Sequence, residues 1–207
     1  PYLPSLVWDL FPDRLVDSEL GEIPEGWEVS TVGDVIEIRD SKRIPLNSRQ
    51  RAERQGPYPY YGAAGVMDYV DDFLFDGVHI LVGEDGSVVD ADGYPVVQYV
   101  WGQFWVNNHA HVLIGKNGIS NEHLYLLLQQ MNIMAFVTGA VQPKLSQRNL
   151  KTIPIVLPDR EVCGAFSGLV GPLFDSRCDN TEEAGLLAAQ RDELLPKLVS
   201  GDVRIQG

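Results

Sequence analysis

The densest concentration of polar, reactive side chains in the 207-residue chain is Gln142, Lys144, Ser146, Gln147, Arg148 and Asn149, all within eight residues. Amide and cationic groups of this kind are suited to hydrogen-bonded recognition: glutamine and asparagine pair bidentately with adenine, arginine and lysine with guanine, in a major groove. Ser146 stands where it would cap a short helix over 147–151, whose first N–H groups could face a phosphate. The same residues read equally well as a polar loop with a good helix cap.

The nearest approach to a metal site is Asn107-Asn108-His109-Ala110-His111. Residues two apart on a strand project to one face, so His109 and His111 could chelate together, with His79 and Glu84 or Asp85 completing the set. A metal-dependent enzyme using His79, His109 and His111 is therefore the alternative reading. No second motif carries metal-ligand spacing, and no metal is expected.

Nucleophilic and phosphate chemistry find less support. Ser87, Ser146 and Ser167 lack a nucleophile elbow, since Gly164-Ala165-Phe166-Ser167-Gly168 falls in a helical pattern. Gly62-Ala63-Ala64-Gly65 follows a strand but leads into another strand, without the helix start that would hold a pyrophosphate. The carboxylates are not paired for acid–base work. Cys163 and Cys178, the two cysteines, lie about 22 Å apart if one helix carries both, beyond disulfide reach. A reducing cytoplasm fits them best. No catalytic residues are expected.

The net charge of −13 is unevenly distributed. Residues 38–56 hold six basic groups (Arg39, Lys42, Arg43, Arg49, Arg51, Arg54) against Asp40 and Glu53, and residues 140–160 hold four against Asp159. Every other stretch is acidic. Non-specific affinity for nucleic acid comes from neutralising phosphates, so any such contact falls to these two segments.

Stepwise along the chain, residues 1–19 read as a lead-in linker with prolines and scattered apolar groups, and at most one helical turn. Gly26–Val29 predicts a strand, and Thr31 with Asp34 a capping box opening a helix over 32–37. Residues 40–57 have no apolar period and read as a loop carrying the first basic cluster. Seven strands are expected at 58–61, 66–70, 78–82, 88–90, 96–100, 104–106 and 109–114, separated by glycine-bearing turns. Ser120 opens a helix to about Phe136, with Leu124, Leu127, Leu128, Met131 and Met134 as core. The run Ile153–Pro158 suits a sheet edge because its prolines cannot donate.

From Asp159, a predicted N-cap, the pattern is helical to about Leu198, with Gly201 as its stop and Val203 and Ile205 as a short extension. Phe166, Leu173, Asn180, Leu187 and Leu194 recur every seventh residue, so this seam calls for a partner, and Asn180 is a polar residue of the kind that fixes register. Gly171-Pro172 leaves open a kink or two shorter helices folding back. The fold class is α+β: a mostly antiparallel sheet globule with short helices, followed by a long C-terminal helix. No apolar run is long enough to span a bilayer, and no membrane association is expected.

Several segments together resemble the specificity (S) subunit of type I DNA restriction-modification systems. They are Leu20–Val29, Pro59–Gly65, His79–Ser87, Gln142–Ser146 leading into Ile153-Pro154 and Leu157-Pro158, and Arg191–Leu198 with Gly201. The resemblance implies that residues 20–158 form a DNA target recognition domain reading half of a bipartite duplex sequence. Residues 159–207 would then be the conserved spacer and dimerisation helix. It also implies DNA contacts at Lys42, Arg43, Arg49, Arg51, Arg54, Tyr61, Gly62, Asp85, Ser87, Asn107, Asn108, His109, Gln142, Lys144, Ser146, Gln147 and Arg148. Family members typically hold two recognition domains and two helices, so one of each implies either a piece of a longer subunit or a half that pairs with a second half-subunit or a copy of itself. The expected partners are modification subunits, which carry S-adenosylmethionine and methylate adenine, and a restriction subunit. This chain would bind no cofactor and catalyse neither reaction.

Overall fold

The computed structural model describes residues 14–139 and 141–200. Two compact units divide the chain, the first running to Gly168 and the second beginning at Leu169.

The first unit is built on two four-stranded sheets. One has the order β4-β11-β8-β9 (Ile36–Ile38, Ala110–Gly115, His79–Gly83, Val97–Val100), antiparallel throughout. The other has the order β6-β5-β10-β7 (Val66–Val70, Tyr58–Tyr61, Gln103–Val106, Phe75–Asp76), where β10 runs parallel to β5 and the other pairs are antiparallel. All five residues of β8 are buried, which requires cover on both faces and explains its unbroken apolar run. On one face Leu81, Val100 and Val112 share a core with Phe75, Phe104 and Val106 of the other sheet. Helix α3 (Asn121–Gln129) lies against β8, β9 and β11 and buries Leu124 and Leu128. Each fully buried side chain of this size contributes about 1.5–3 kcal/mol.

The expected strands at 58–61, 66–70, 78–82, 96–100, 104–106 and 109–114 form within one residue of their predicted bounds. Residues 88–90 do not: Val89 makes a single bridge to Pro95. β4 and β7 were not predicted, being three and two residues long, too short for an alternation to register. The helix after Thr31 spans only Val32–Val35 (α1), with the expected Asp34 capping box, because Ile36 turns directly into β4.

Residues 14–24 form a hairpin, β1 (Leu15–Ser18) against β2 (Gly21–Pro24), where the linker reading placed a boundary at 19/20. Its first thirteen residues lie outside the described ones. The segment 40–57 also differs from a loop: it holds a 3₁₀ turn at Asp40–Lys42 and helix α2 (Ser48–Glu53). Asn47 and Gln50 form a reciprocal capping box there, and α2 buries none of its residues. A helix held by its cap and not by an apolar stripe is invisible to periodicity.

The helix from Ser120 ends at Gln129, short of Phe136. Asn132 donates from Nδ2 to the Asp92 carbonyl (2.7 Å), and the Ile133 N–H bonds the Gly93 carbonyl (2.9 Å). Buried Ile133 is thereby set into the core, whereas Met134 is exposed. Helix α4 (Gln147–Thr152) is capped by Ser146 as its sequence indicates. β12 (Pro154–Leu157) then pairs with β3 (Glu28–Thr31) and, among the described residues, with no other strand.

Asp159 accepts from the Val162 N–H (2.9 Å), and α5 runs unbroken from Arg160 to Ser200 through both Pro172 and Pro196. Gly168, the residue whose carbonyl Pro172 leaves without a donor, is exposed, so water can satisfy it. Residues Arg160–Gly168 belong to the first unit, where Phe166 packs on the His123 ring (centroids 4.7 Å apart). In the second unit Leu173, Leu187 and Leu194 are 69%, 57% and 47% exposed, and Asn180 is exposed with them. Gly201, Val203 and Ile205 fall outside the described residues. Cys163 and Cys178 are both free thiols, and among the described residues no helix is long and apolar enough to cross a membrane.

Candidate functional site

Four loops of the first unit converge on an open cleft of about 520 Å³. Ala63, Ala64 and Gly65 come from the β5–β6 turn, with Val66 and Met67 beyond it. Asp85, Gly86 and Ser87 follow β8, Asn107 and His109 lie between β10 and β11, and Gln142 comes from the loop before α4. Five of the residues singled out in the sequence, Asp85, Ser87, Asn107, His109 and Gln142, are thus brought together although they span almost sixty positions.

Each loop is fixed by its own polar side chains. Asn107 is buried, accepting from the His109 N–H (2.8 Å) through Oδ1 and lying 3.3 Å from Met67 Sδ through Nδ2. The Gly62 N–H bonds the Gly65 carbonyl (2.8 Å), and Gln98 Nε2 donates to the carbonyls of Gly62 and Ala63 (3.0 and 3.1 Å). Gln98 was not singled out; a lone amide in an otherwise regular strand carries no sequence signal. Tyr61 packs edge-on against Phe104 (5.8 Å), and burial, with Tyr69 nearby, raises its hydroxyl above the ordinary value. Asn108 is exposed at the tip of its turn, and Ser87 on the rim.

Beside the cleft, a buried ionic network ties the loops together. His111 Nδ1 lies 2.6 Å from Asp40 Oδ2 and Nε2 lies 2.8 Å from the Leu145 carbonyl. A carbonyl only accepts, and so does an ionised carboxylate, so the ring donates from both nitrogens. Asp40 also accepts from the Val112 N–H (2.8 Å) and Gln147 Nε2 (2.6 Å) and lies 3.3 Å from Arg43. Burial alone would raise the Asp40 carboxyl. The bonds from His111 and Val112, with the charges of His111 and Arg43, outweigh it and leave the group below its usual range. Arg43 reaches on to Glu84 (2.8 Å) and to the Ala110 carbonyl.

The histidines do not gather into the metal site of the alternative reading. His111 pairs with Val82 across the sheet, so the two share a face, while His79, three residues from Val82, lies on the other. There His79 sits in an aromatic cage with Phe75 and Phe104 (5.4 Å each). Burial lowers its pKa, as suits a neutral ring whose Nδ1 faces the Gly77 carbonyl (3.2 Å). His109 is half exposed, 3.9 Å from Asp85. Asp40, Glu84 and His111 do bring ligand atoms within 4.8 Å of one another. Their donor set does not suit a cation, because both His111 nitrogens are committed and the Arg43 guanidinium already pairs with both carboxylates.

The cationic candidates divide by environment. Arg43 and Arg51 are largely buried, Arg51 on Asp68 (2.9 Å) and the Leu46 carbonyl (2.8 Å). Arg54 bonds Asp71 (2.8 Å) and lies over the Trp105 ring (4.9 Å). Lys42, Arg49, Lys144 and Arg148 are exposed, Arg49 paired with Glu53 (2.9 Å) and Lys144 3.9 Å from Glu84. The Asp40–Gln147 bond brings the two basic segments side by side, Lys42 following one partner and Arg148 the other. Ser146 accepts from the Asn149 N–H (3.1 Å).

Residues 24–162 match the family model described as type I restriction modification DNA specificity domain. A Haemophilus influenzae protein named as type I restriction enzyme specificity subunit S.HindORF215P is 37% identical over 145 residues, 69% of this chain and 37% of its own length. The Escherichia coli type I restriction enzyme EcoprrI specificity subunit is 28% identical over 155 residues, 74% and 37% of the two lengths. Among solved structures, the S subunit of a type I restriction-modification system from M. genitalium superposes with a TM-score of 0.61 at 21% identity, over 85% of this chain and 46% of that one. The chain spans less than half the length of these relatives.

Proposed function

This chain belongs to the family of type I restriction-modification DNA specificity domains, and on that premise we propose that its first unit reads one half of a bipartite duplex target. The observation that carries this reading is the convergence of Asp85, Ser87, Asn107, His109 and Gln142 on one cleft, with Lys144 from the same loop as Gln142. Base edges are read by hydrogen-bonding side chains, while phosphates position the protein. The cleft supplies amide, hydroxyl and imidazole groups for the first task. Lys42, Lys144 and Arg148 supply cations for the second. Arg43 behind the surface and Gln147 at it hold the loops in register through Asp40.

In this reading the chain performs no chemistry and binds no cofactor. Modification subunits bring S-adenosylmethionine and methylate adenine, and a restriction subunit cuts, in the cytoplasm. The exposed leucines of α5 pair with a second spacer helix, from the remainder of a longer subunit or from another copy, and its length sets the distance between half-sites. Mapping methylated adenines in cells that express this chain with its modification partner tests the proposal. A defined bipartite motif that disappears when the gene is deleted is the expected result, and an unchanged methylation map would refute it.

A further inference from the structure

The geometry points to Gln142 as a reader of adenine, with Asp85 as the residue that orients its amide; this rests on the DNA-recognition reading above. Gln142 Nε2 donates to Asp85 Oδ1 at 2.7 Å. A carboxylate only accepts, so the amide nitrogen must face Asp85 and the oxygen must face away, which removes the twofold ambiguity of a free glutamine amide. One N–H of Nε2 and the oxygen Oε1 are left, and among the described residues neither has a hydrogen-bond partner. That pair is the complement of the adenine major-groove edge, where Oε1 accepts from N6 and Nε2 donates to N7.

The backbone beneath the amide is held as firmly as the amide itself. Thr138 and Lys144 exchange two backbone hydrogen bonds (2.9 and 2.7 Å), closing the loop at its base. The Gly86 N–H bonds the Pro143 carbonyl (3.0 Å) and the Leu145 N–H bonds the Glu84 carbonyl (2.9 Å), docking the loop on the turn that carries Asp85. Gly139 has φ +88°, and a Cβ there would run into the Gln142 carbonyl, so the turn closes this tightly only with glycine. A side chain on so constrained a loop loses little freedom on binding.

The cleft wall supports the same base pair. Ala63, Val66 and Met67 line it together with Gln142 and Asp85, and an A·T pair presents the thymine methyl beside the adenine edge, where apolar side chains recognise it. Asp85 itself would repel phosphate. Its Oδ1 is turned to Gln142, and Oδ2 lies 3.9 Å from His109 Nδ1.

The test is selection from randomised duplexes by the protein carrying this chain, assembled with its modification subunits, followed by sequencing. Gln142→Ala is expected to lower the preference for adenine at one position by about 5- to 150-fold while leaving the other positions unchanged. Asp85→Asn permits both amide orientations and should weaken the same single preference without altering the salt dependence of binding. The pair Asp85→Asn/Gln142→Glu presents a carboxylate oxygen instead and should move that position towards cytosine, whose N4 donates. Adenine preference retained at every position in Gln142→Ala would overturn the inference alone. Absence of any sequence preference in the unsubstituted protein would overturn it together with the DNA-recognition reading.

Discussion

Replacing Asp40 by alanine removes the acceptor for three groups at once: His111 Nδ1, the Val112 N–H and Gln147 Nε2. It also leaves Arg43 with Glu84 as its remaining carboxylate partner. His111 and the Val112 amide are buried, and each donor stranded there costs about 1–3 kcal/mol. Breaking a buried ion pair from one side costs about 3–5 kcal/mol. These figures describe overlapping losses, so about 3–5 kcal/mol is the expected destabilisation of the first unit. With a urea slope of about 2 kcal/mol per molar, the unfolding midpoint should fall by about 2 M. Equilibrium urea unfolding followed by tryptophan fluorescence measures this directly. A double-mutant cycle with His111→Ala should show coupling of at least about 1 kcal/mol, because each change removes the other's partner. A midpoint within about 0.3 M of the unsubstituted chain would refute the claim that the Asp40–His111 network holds the loops in place.

The same carboxyl fixes a pH signature: its folded pKa lies below the ordinary 3.8, so its stabilisation is complete above that pH and is lost as pH falls through the folded value. Urea midpoints at pH 6 and pH 3 should therefore converge more closely in Asp40→Asn than in the unsubstituted chain. Lys144→Ala and Arg148→Ala should each weaken specific duplex binding by about 1–3 kcal/mol if they read a base, or reduce the salt slope by about one if they contact phosphate. Fluorescence anisotropy at several salt concentrations distinguishes these outcomes, and affinity unchanged in both variants would remove this loop from the interface. Leu187→Asp with Leu194→Asp should leave the urea midpoint of the first unit unchanged and abolish pairing of the spacer helix, read as a lower mass by sedimentation.

Legibility from the sequence followed the physical source of each feature. Strand β8 was visible because burial on both faces demands an apolar run, here Ile80-Leu81-Val82, and α4 because Ser146 announces its cap. Helix α2 was hidden, since it buries nothing and is held by Asn47 and Gln50. At the cleft, residue types pointed to Gln142, Asn107 and His109, but only three-dimensional pairing separates cations at the surface from cations that brace it. Arg43, Arg51 and Arg54 counted equally with Lys144 as charges along the chain. The fold places Glu84, Asp68 and Asp71 against Arg43, Arg51 and Arg54, contacts between residues far apart in sequence that spacing cannot reveal. Asp40 was read merely as a deduction from the basic segment's charge, whereas it is the hub on which His111, Arg43 and Gln147 meet.

Hydroxyl-radical footprinting of the protein on its own methylated target, assembled with the modification subunits, tests most directly whether this cleft faces DNA. The account predicts protection at residues 63–67, 85–87, 107–109 and 142–148, with the β1–β2 hairpin unaffected. Protection of the hairpin with these four loops fully reactive would contradict it.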